Sequence, residues 1–237
     1  PGTACPSSSQ AAEPAWNGHA SGQNRAGQAH DTGGTPLDRF GVVRLLSSIT
    51  TRMFREALTD IVQRLNQAKQ EQILVDFALI GGMAVSAWGV PRATQDIDFV
   101  LTLGSKDPEK VGIAMGAQYE PGALDDPLRG VFRVSVTAKG APVPIQFILF
   151  PAQWTSVAFS RVQTLTIFGC PVPVVSWSAL ILMKLYAGGP QDMLDAQELL
   201  EVHQPDADAL GAMHALAKTV GLSDELRALV ARRQFSE

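Results

Sequence analysis

The chain has 237 residues, 46% apolar and 18% charged, enough for one sizeable core or one core with a small appendage. Its net charge of −4 argues against a generic, long-range electrostatic grip on nucleic acid and leaves room only for a local basic patch. Cys5 and Cys170 stand far apart and outside any C-x-x-C pair, and His19, His30, His203 and His214 lack metal-ligand spacing. Neither a disulfide framework nor a structural zinc site is therefore expected.

Residues 1–36 are rich in Gly, Ser, Ala, Gln and Pro and nearly free of large aliphatic side chains. Such a segment cannot bury enough apolar surface to offset its ordering entropy, so a disordered low-complexity tail is expected there. Pro1 stands where Met would, and this opening has no apolar core of the signal-peptide kind. No apolar run approaches the roughly 18–20 residues that span a bilayer. The reading is a cytoplasmic chain with no membrane partner.

From Met53 to Leu65, apolar residues recur at helical spacing with Arg52, Glu56, Asp60 and Gln63 between them, which predicts an amphipathic helix. "ILVDFALIGG" follows as a mostly buried strand ending at Gly81-Gly82, "MAVSAW" as a short helix, and "DIDFVLTL" as a second strand. A helix opened by Asp107-Pro108 is expected over 107–117. "VFRVSVTAKGAPVPIQFILF" predicts a hairpin turned at Lys139-Gly140, and "VQTLTIFGCPVPVVS" a shorter strand pair turned around Gly169. After Ser176 the pattern is helical, roughly 177–187, 191–202, 206–219 and 222–234. Strands first and helices last predict an α+β protein: an α/β head over 37–175 and a helical C-terminal part over 176–237 packed on it.

The stretch "ALIGGMAVSAWGVPRATQDIDFV" concentrates the chemistry. Asp96 and Asp98, two apart on a strand, share a face. Two such carboxylates raise each other's proton affinity unless a cation sits between them, and Mg²⁺ prefers hard oxygens of this kind. Gly81-Gly82 lies where strand becomes helix, so unpaired backbone N–H groups can face an anion, with no side chain keeping it away. A phosphate cradle beside a two-carboxylate metal site suits a nucleoside triphosphate with Mg²⁺, and with it phosphoryl or nucleotidyl transfer. Alone, a Gly-Gly is usually a turn and a D-x-D a solvated strand end; the helix between them and Arg92-Ala93-Thr94 ahead of the acids join them into one site.

At these residues the sequence resembles the nucleotidyltransferase superfamily. "LIGGMAVSAWGVPRATQDIDFVL" is similar to the first motif of minimal and AbiEii-type bacterial nucleotidyltransferases, with its R-x-T-x-D-h-D signature. "VPVVSWSALILMKLYAGGPQDMLDAQELL" is similar to their later motifs, a Lys-bearing helix followed by a D-x-x-D helix, and the resemblance covers about residues 75–202. The resemblance implies a mixed β-sheet flanked by helices. Gly81 and Gly82 would hold the triphosphate, with Thr94 in the nucleotide-binding set, and Asp96 and Asp98 would bind Mg²⁺ or Mn²⁺. Lys184 would contact phosphate, and Asp192 and Asp195 would orient Lys184. Arg92 would either neutralise phosphate or anchor its loop.

The chain departs from the family at one position. Where many nucleotidyltransferases carry a third carboxylate on the hairpin strand, "VPIQFILF" holds Gln146, which adds no charge and cannot act as a base near neutral pH. Asp98 would then double as base, or Asp125 or Asp126 would substitute, or the protein would bind nucleotide without chemistry. The implied function is transfer of a nucleoside monophosphate from an NTP to a hydroxyl of tRNA, a protein side chain or a small molecule, with an antitoxin partner if the chain is a toxin. The alternative is a degenerate nucleotide-binding module of the same fold. Non-catalytic nucleic-acid binding has only Arg227, Arg232 and Arg233 behind it, a cluster that reads as a solvated helix face.

Overall fold

A computed structural model of the chain describes the backbone of residues 39–123 and 128–234, with side chains over 50–123 and 128–232. The low-complexity stretch 1–36 and the acids Asp125 and Asp126 lie outside the described residues. Helix α1 (Arg39–Gln70) extends the expected Met53–Leu65 helix at both ends. Its Phe54, Leu58, Ile61 and Leu65 are buried, as an apolar stripe at helical spacing requires.

Strand β1 (Asp76–Ile80) runs directly into α2 (Gly81–Ala87), and β2 (Ile97–Thr102) returns antiparallel to β1 with Asp98 opposite Ile80. Helix α3 (Pro108–Met115) begins at Asp107, whose carboxylate accepts from the Glu109 N–H at 3.0 Å. Strands β3 (Gln118–Pro121), β4 (Gly130–Ala138) and β5 (Ala141–Leu149) follow, then α4 (Trp154–Ala158), β6 (Gln163–Ile167) and β7 (Cys170–Val174). Helices α5 (Trp177–Ala187), α6 (Pro190–His203), α7 (Ala207–Thr219) and α8 (Ser223–Gln234) complete the described chain. The elements β3 and α4 were not expected; at four and five residues they are too short to leave a periodic signal.

The strands form one seven-stranded sheet in the order β3-β4-β5-β2-β1-β7-β6. β2 pairs with β5, and β1 with β7, in parallel; the other neighbours are antiparallel. The architecture is thus α+β, a mixed sheet flanked by helices. One face carries Phe132 opposite Phe147, Phe147 opposite Phe99 with ring centroids 6.2 Å apart, and Phe77 edge-on to Phe99 at 6.0 Å. Ile61 and Leu65 of α1 lie beside Phe147, so α1 covers this aromatic row. Period-two alternation then sends Asp98, Gln146 and Arg133 to the opposite face. Over β1 and β2 that face is covered by α5, whose residues Ala179–Leu185 are all buried. No helix among the described residues is long and apolar enough to cross a membrane.

Both hairpin turns put two consecutive residues at positive φ, Lys139-Gly140 at 50° and 79° and Phe168-Gly169 at 52° and 84°. This geometry favours Asn-Gly, and a bulky residue at its first position is strained. Phe168 is also one of the exposed large apolar residues. Phe168→Asn is therefore expected to stabilise the protein by about 0.5–1 kcal/mol in chemical denaturation, whereas an unchanged or lowered midpoint would mean that the ring contributes packing.

Candidate active site

The register of β1 and β2 explains the first glycine. Gly81 follows Ile80, which lies opposite Asp98, and it adopts φ +68°. A Cβ built there would lie 2.9 Å from both Cβ and Cγ of Asp98 and overlap a carboxylate oxygen. Gly82 serves the adjoining loop: its Cβ would meet Thr94 Oγ1 at 3.1 Å and Thr94 Cβ at 3.2 Å. The two glycines thus let the Asp98 carboxylate and the loop before β2 close onto the start of α2.

That loop fixes Asp96, which stands just ahead of β2 rather than inside it. Thr94 Oγ1 donates to Asp96 Oδ1 at 2.9 Å, and Gln146 Nε2 donates to Asp96 Oδ2 at 3.3 Å. Both carboxylate oxygens are therefore held. The loop is stapled to α2, since Ser86 Oγ donates to the Arg92 carbonyl at 3.0 Å and accepts from the Arg92 N–H at 3.2 Å. It is tied to α6 as well, because the Arg92 guanidinium pairs with Asp195.

Asp195 is fully buried and also receives Lys184 Nζ at 2.8 Å and Gln191 Nε2 at 3.0 Å. Lys184, itself buried, reaches Asp192 Oδ1 at 2.7 Å. The Arg92–Asp195 pair thus ties the loop to α6. Sequence reasoning missed Ser86 and Gln191, and nothing in their spacing signalled them. It also missed the clamp at the far end of α2. There the Trp88 indole N–H donates to the Val175 carbonyl at 2.8 Å, and His203 contacts the Trp88 carbonyl at 3.1 Å while stacking on Trp177 at 4.8 Å. Burial lowers the pKa of His203, and its bond to the Trp88 carbonyl offsets part of that.

Gly81, Asp96, Asp98, Gln146, Lys184 and Asp192 border one cavity of about 280 Å³. A larger hollow of about 410 Å³ lies between α5 and α7 but contains no such grouping of acids. Burial pushes the Asp98 carboxyl up from 3.8 to about 7; the charge of Asp96 adds to this, and Lys184 and Arg92 offset part of it. Among the described residues no three His, Cys, Asp or Glu side chains are grouped to hold a metal. The oxygen donors present are two adjacent carboxylates, one of them raised in proton affinity chiefly by burial and then by the charge of the other. That donor set fits a hard divalent cation, which would replace the proton.

Two measurements test this geometry. Because Asp98 binds its proton more tightly in the folded chain, its stabilising contribution is full below pH 3.8 and lost as the pH rises to about 7, on the order of 4 kcal/mol. Without divalent metal, melting temperature should therefore fall from pH 5 to pH 8, and Asp98→Asn should flatten that fall; parallel profiles would refute the raised proton affinity. Gly81→Ala should destabilise the protein by about 2 kcal/mol or more, and Gly82→Ala by less, because only Gly81 combines positive φ with overlap of a fixed carboxylate. Urea denaturation of the two variants side by side reads the order.

A model of the protein family described as "Nucleotidyl transferase AbiEii toxin, Type IV TA system" matches residues 63–234. No curated protein matches the chain significantly. Solved structures similar to it include an antigenic nucleotidyltransferase-like protein from Paracoccidioides brasiliensis, 17% identical over 73% of this chain and 93% of that one, with a TM-score of 0.42. Another is ANT(2'')-Ia in complex with adenylyl-2''-tobramycin, 17% identical over 72% of this chain and 97% of that one, with a TM-score of 0.41.

Proposed function

The chain belongs to the AbiEii nucleotidyl transferase family, and we propose that it transfers a nucleoside monophosphate from an NTP to a hydroxyl acceptor with Mg²⁺ or Mn²⁺. The observation that carries this reading is the Asp96–Asp98 pair, with Asp96 fixed by Thr94 and Gln146 and Asp98 raised in proton affinity chiefly by burial. These two carboxylates would hold the cation, which when bound supplies charge stabilisation to the phosphate oxygens. The backbone at Gly81 and Gly82 would receive the triphosphate. Lys184, on the rim of the same cavity, would offset charge on the leaving pyrophosphate.

In the transfer, the acceptor oxygen bonds the α-phosphorus as the bond to the bridging oxygen of the β-phosphate breaks. Pyrophosphate leaves with that electron pair. The hydroxyl proton passes to Asp98, since Gln146, in the third-acid position, cannot accept it. Arg92 and Thr94 act by position, holding the loop that presents Asp96. The family description implies an antitoxin partner as well as the NTP, and a cytoplasmic site of action accords with both.

A second reading, a degenerate nucleotide-binding module, is favoured by Gln146 alone. The two separate by incubating the protein with each α-³²P-labelled NTP, Mg²⁺ or Mn²⁺, and cell extract. Label transfer should occur with the wild type and fall by about 10²–10³-fold or more with Asp96→Asn or Asp98→Asn. Binding of Mg²⁺-NTP with no transfer under any condition would establish the degenerate module instead.

A further inference from the structure

Asp96 stands where its loop stands. Thr94, which holds one carboxylate oxygen, belongs to the same loop, and Gln146 reaches the other oxygen only at 3.3 Å. The loop in turn is bound to α2: Ser86 engages both backbone groups of Arg92, and Gly82 backs onto Thr94. Helix α2 and residues 88–96 are therefore one piece. That piece joins β1 at Gly81, at φ +68°, where glycine's conformational freedom leaves its direction open. The direction has to be set at the other end of the helix, seven residues and about 10 Å away.

That other end is Trp88. Its backbone N–H closes the last turn of α2 on the Ala84 carbonyl at 3.0 Å, and its indole N–H donates to the Val175 carbonyl at 2.8 Å. The Trp88 carbonyl faces His203 Nε2 at 3.1 Å. A carbonyl only accepts, so Nε2 carries the hydrogen. The imidazole has a fixed seat: it stacks on Trp177 at 4.8 Å, 8° from parallel, and meets the Trp88 ring edge-on at 5.5 Å. Asp195 and His203 lie on the same helix, about 12 Å apart along α6. Asp195 holds the α2 piece through Arg92, and His203 holds it through Trp88. One attachment would let the piece pivot; two fix its direction.

Resting on the nucleotidyl-transfer reading, we propose that His203 is a positioning residue of the cation site: by donating to the Trp88 carbonyl it sets the direction of α2 and its loop, and with it the place of Asp96 beside Asp98. This role belongs to the N–H and is separable from the ring's packing between two indoles. Glutamine offers a side-chain N–H without a ring, and phenylalanine a ring without an N–H.

The test measures Mn²⁺ binding, without nucleotide, as free Mn²⁺ by electron paramagnetic resonance, with a melting temperature for each protein. His203→Phe should raise Kd about 10-fold, as loss of an outer partner of a metal ligand does, whereas His203→Gln should stay within about 3-fold of wild type although it loses the stack. His203→Leu, a second variant with no donor, reads the same loss should His203→Phe not fold. Wild-type affinity in the donorless variants, equal losses in His203→Gln and His203→Phe, or affinities that rank with melting temperature instead of with the N–H would overturn the proposal. Asp96→Asn separates the two levels. If the wild type binds no Mn²⁺, alone or with NTP, the nucleotidyl-transfer reading itself fails and the positioning role falls with it. If the wild type binds and Asp96→Asn does not, while the donorless variants bind like the wild type, only the positioning role fails.

Discussion

The structure around the site depends on one buried carboxylate. Asp195 of α6 is fully shielded from solvent and takes Arg92 from the loop before β2, Lys184 from α5 and Gln191 from its own helix. Taking one partner from a buried ion pair typically costs about 3–5 kcal/mol, because the remaining charge is left unpaired in a poor solvent. The loop before β2 and the consecutive helices α5 and α6, about 100 residues further along the chain, are therefore locked together through one side chain. The loop held by Arg92 carries Thr94, and Thr94 orients Asp96. The position of the first candidate metal ligand is thus set from the far side of the cleft.

The sheet order supplies the second constraint. Lying between β1 and β5, β2 gives Asp98 a neighbour on each side, Ile80 and Gln146, and brings α5 over it. Such enclosure desolvates a carboxylate that already faces another, and its raised proton affinity is the consequence. The fold holds this unfavourable arrangement with a large apolar core: the Phe132–Phe147–Phe99–Phe77 row under α1 on one face, and the buried stretch of α5 on the other. Local electrostatic cost carried by surrounding packing is the usual signature of a site selected for chemistry.

The helix bearing the glycines is clamped at both ends. At its start, Gly81 and Gly82 allow Asp98 and Thr94 to approach closely. At its end, Trp88 is bonded to Val175 and to His203 of α6, and His203 stacks on Trp177 of α5. Helix α6 therefore meets both the loop of the site and the end of α2. The C-terminal helices build the cleft as well as covering the sheet.

Periodicity and turn chemistry made most elements legible. The amphipathic stripe of α1, both hairpin turns, the four C-terminal helices and the α+β class follow from local pattern, because apolar spacing and glycine placement act within a few residues. The short β3 and α4 were not legible, and neither was the extension of α1 beyond its apolar stripe. At the site, Gly81-Gly82, Asp96 and Asp98 stood out in sequence because strand-to-helix glycines and two acids at strand spacing are local features. That Gly81 is required by the Asp98 carboxylate, that Arg92 pairs with Asp195, and that Gln146 donates to Asp96 came only with the fold. Each depends on strand register or on contacts between residues about 50 to 100 positions apart in sequence, which no local pattern encodes. The sequence by itself determined which residues have the chemistry; tertiary structure decided which of them meet, because register and helix packing are set by burial of the whole core.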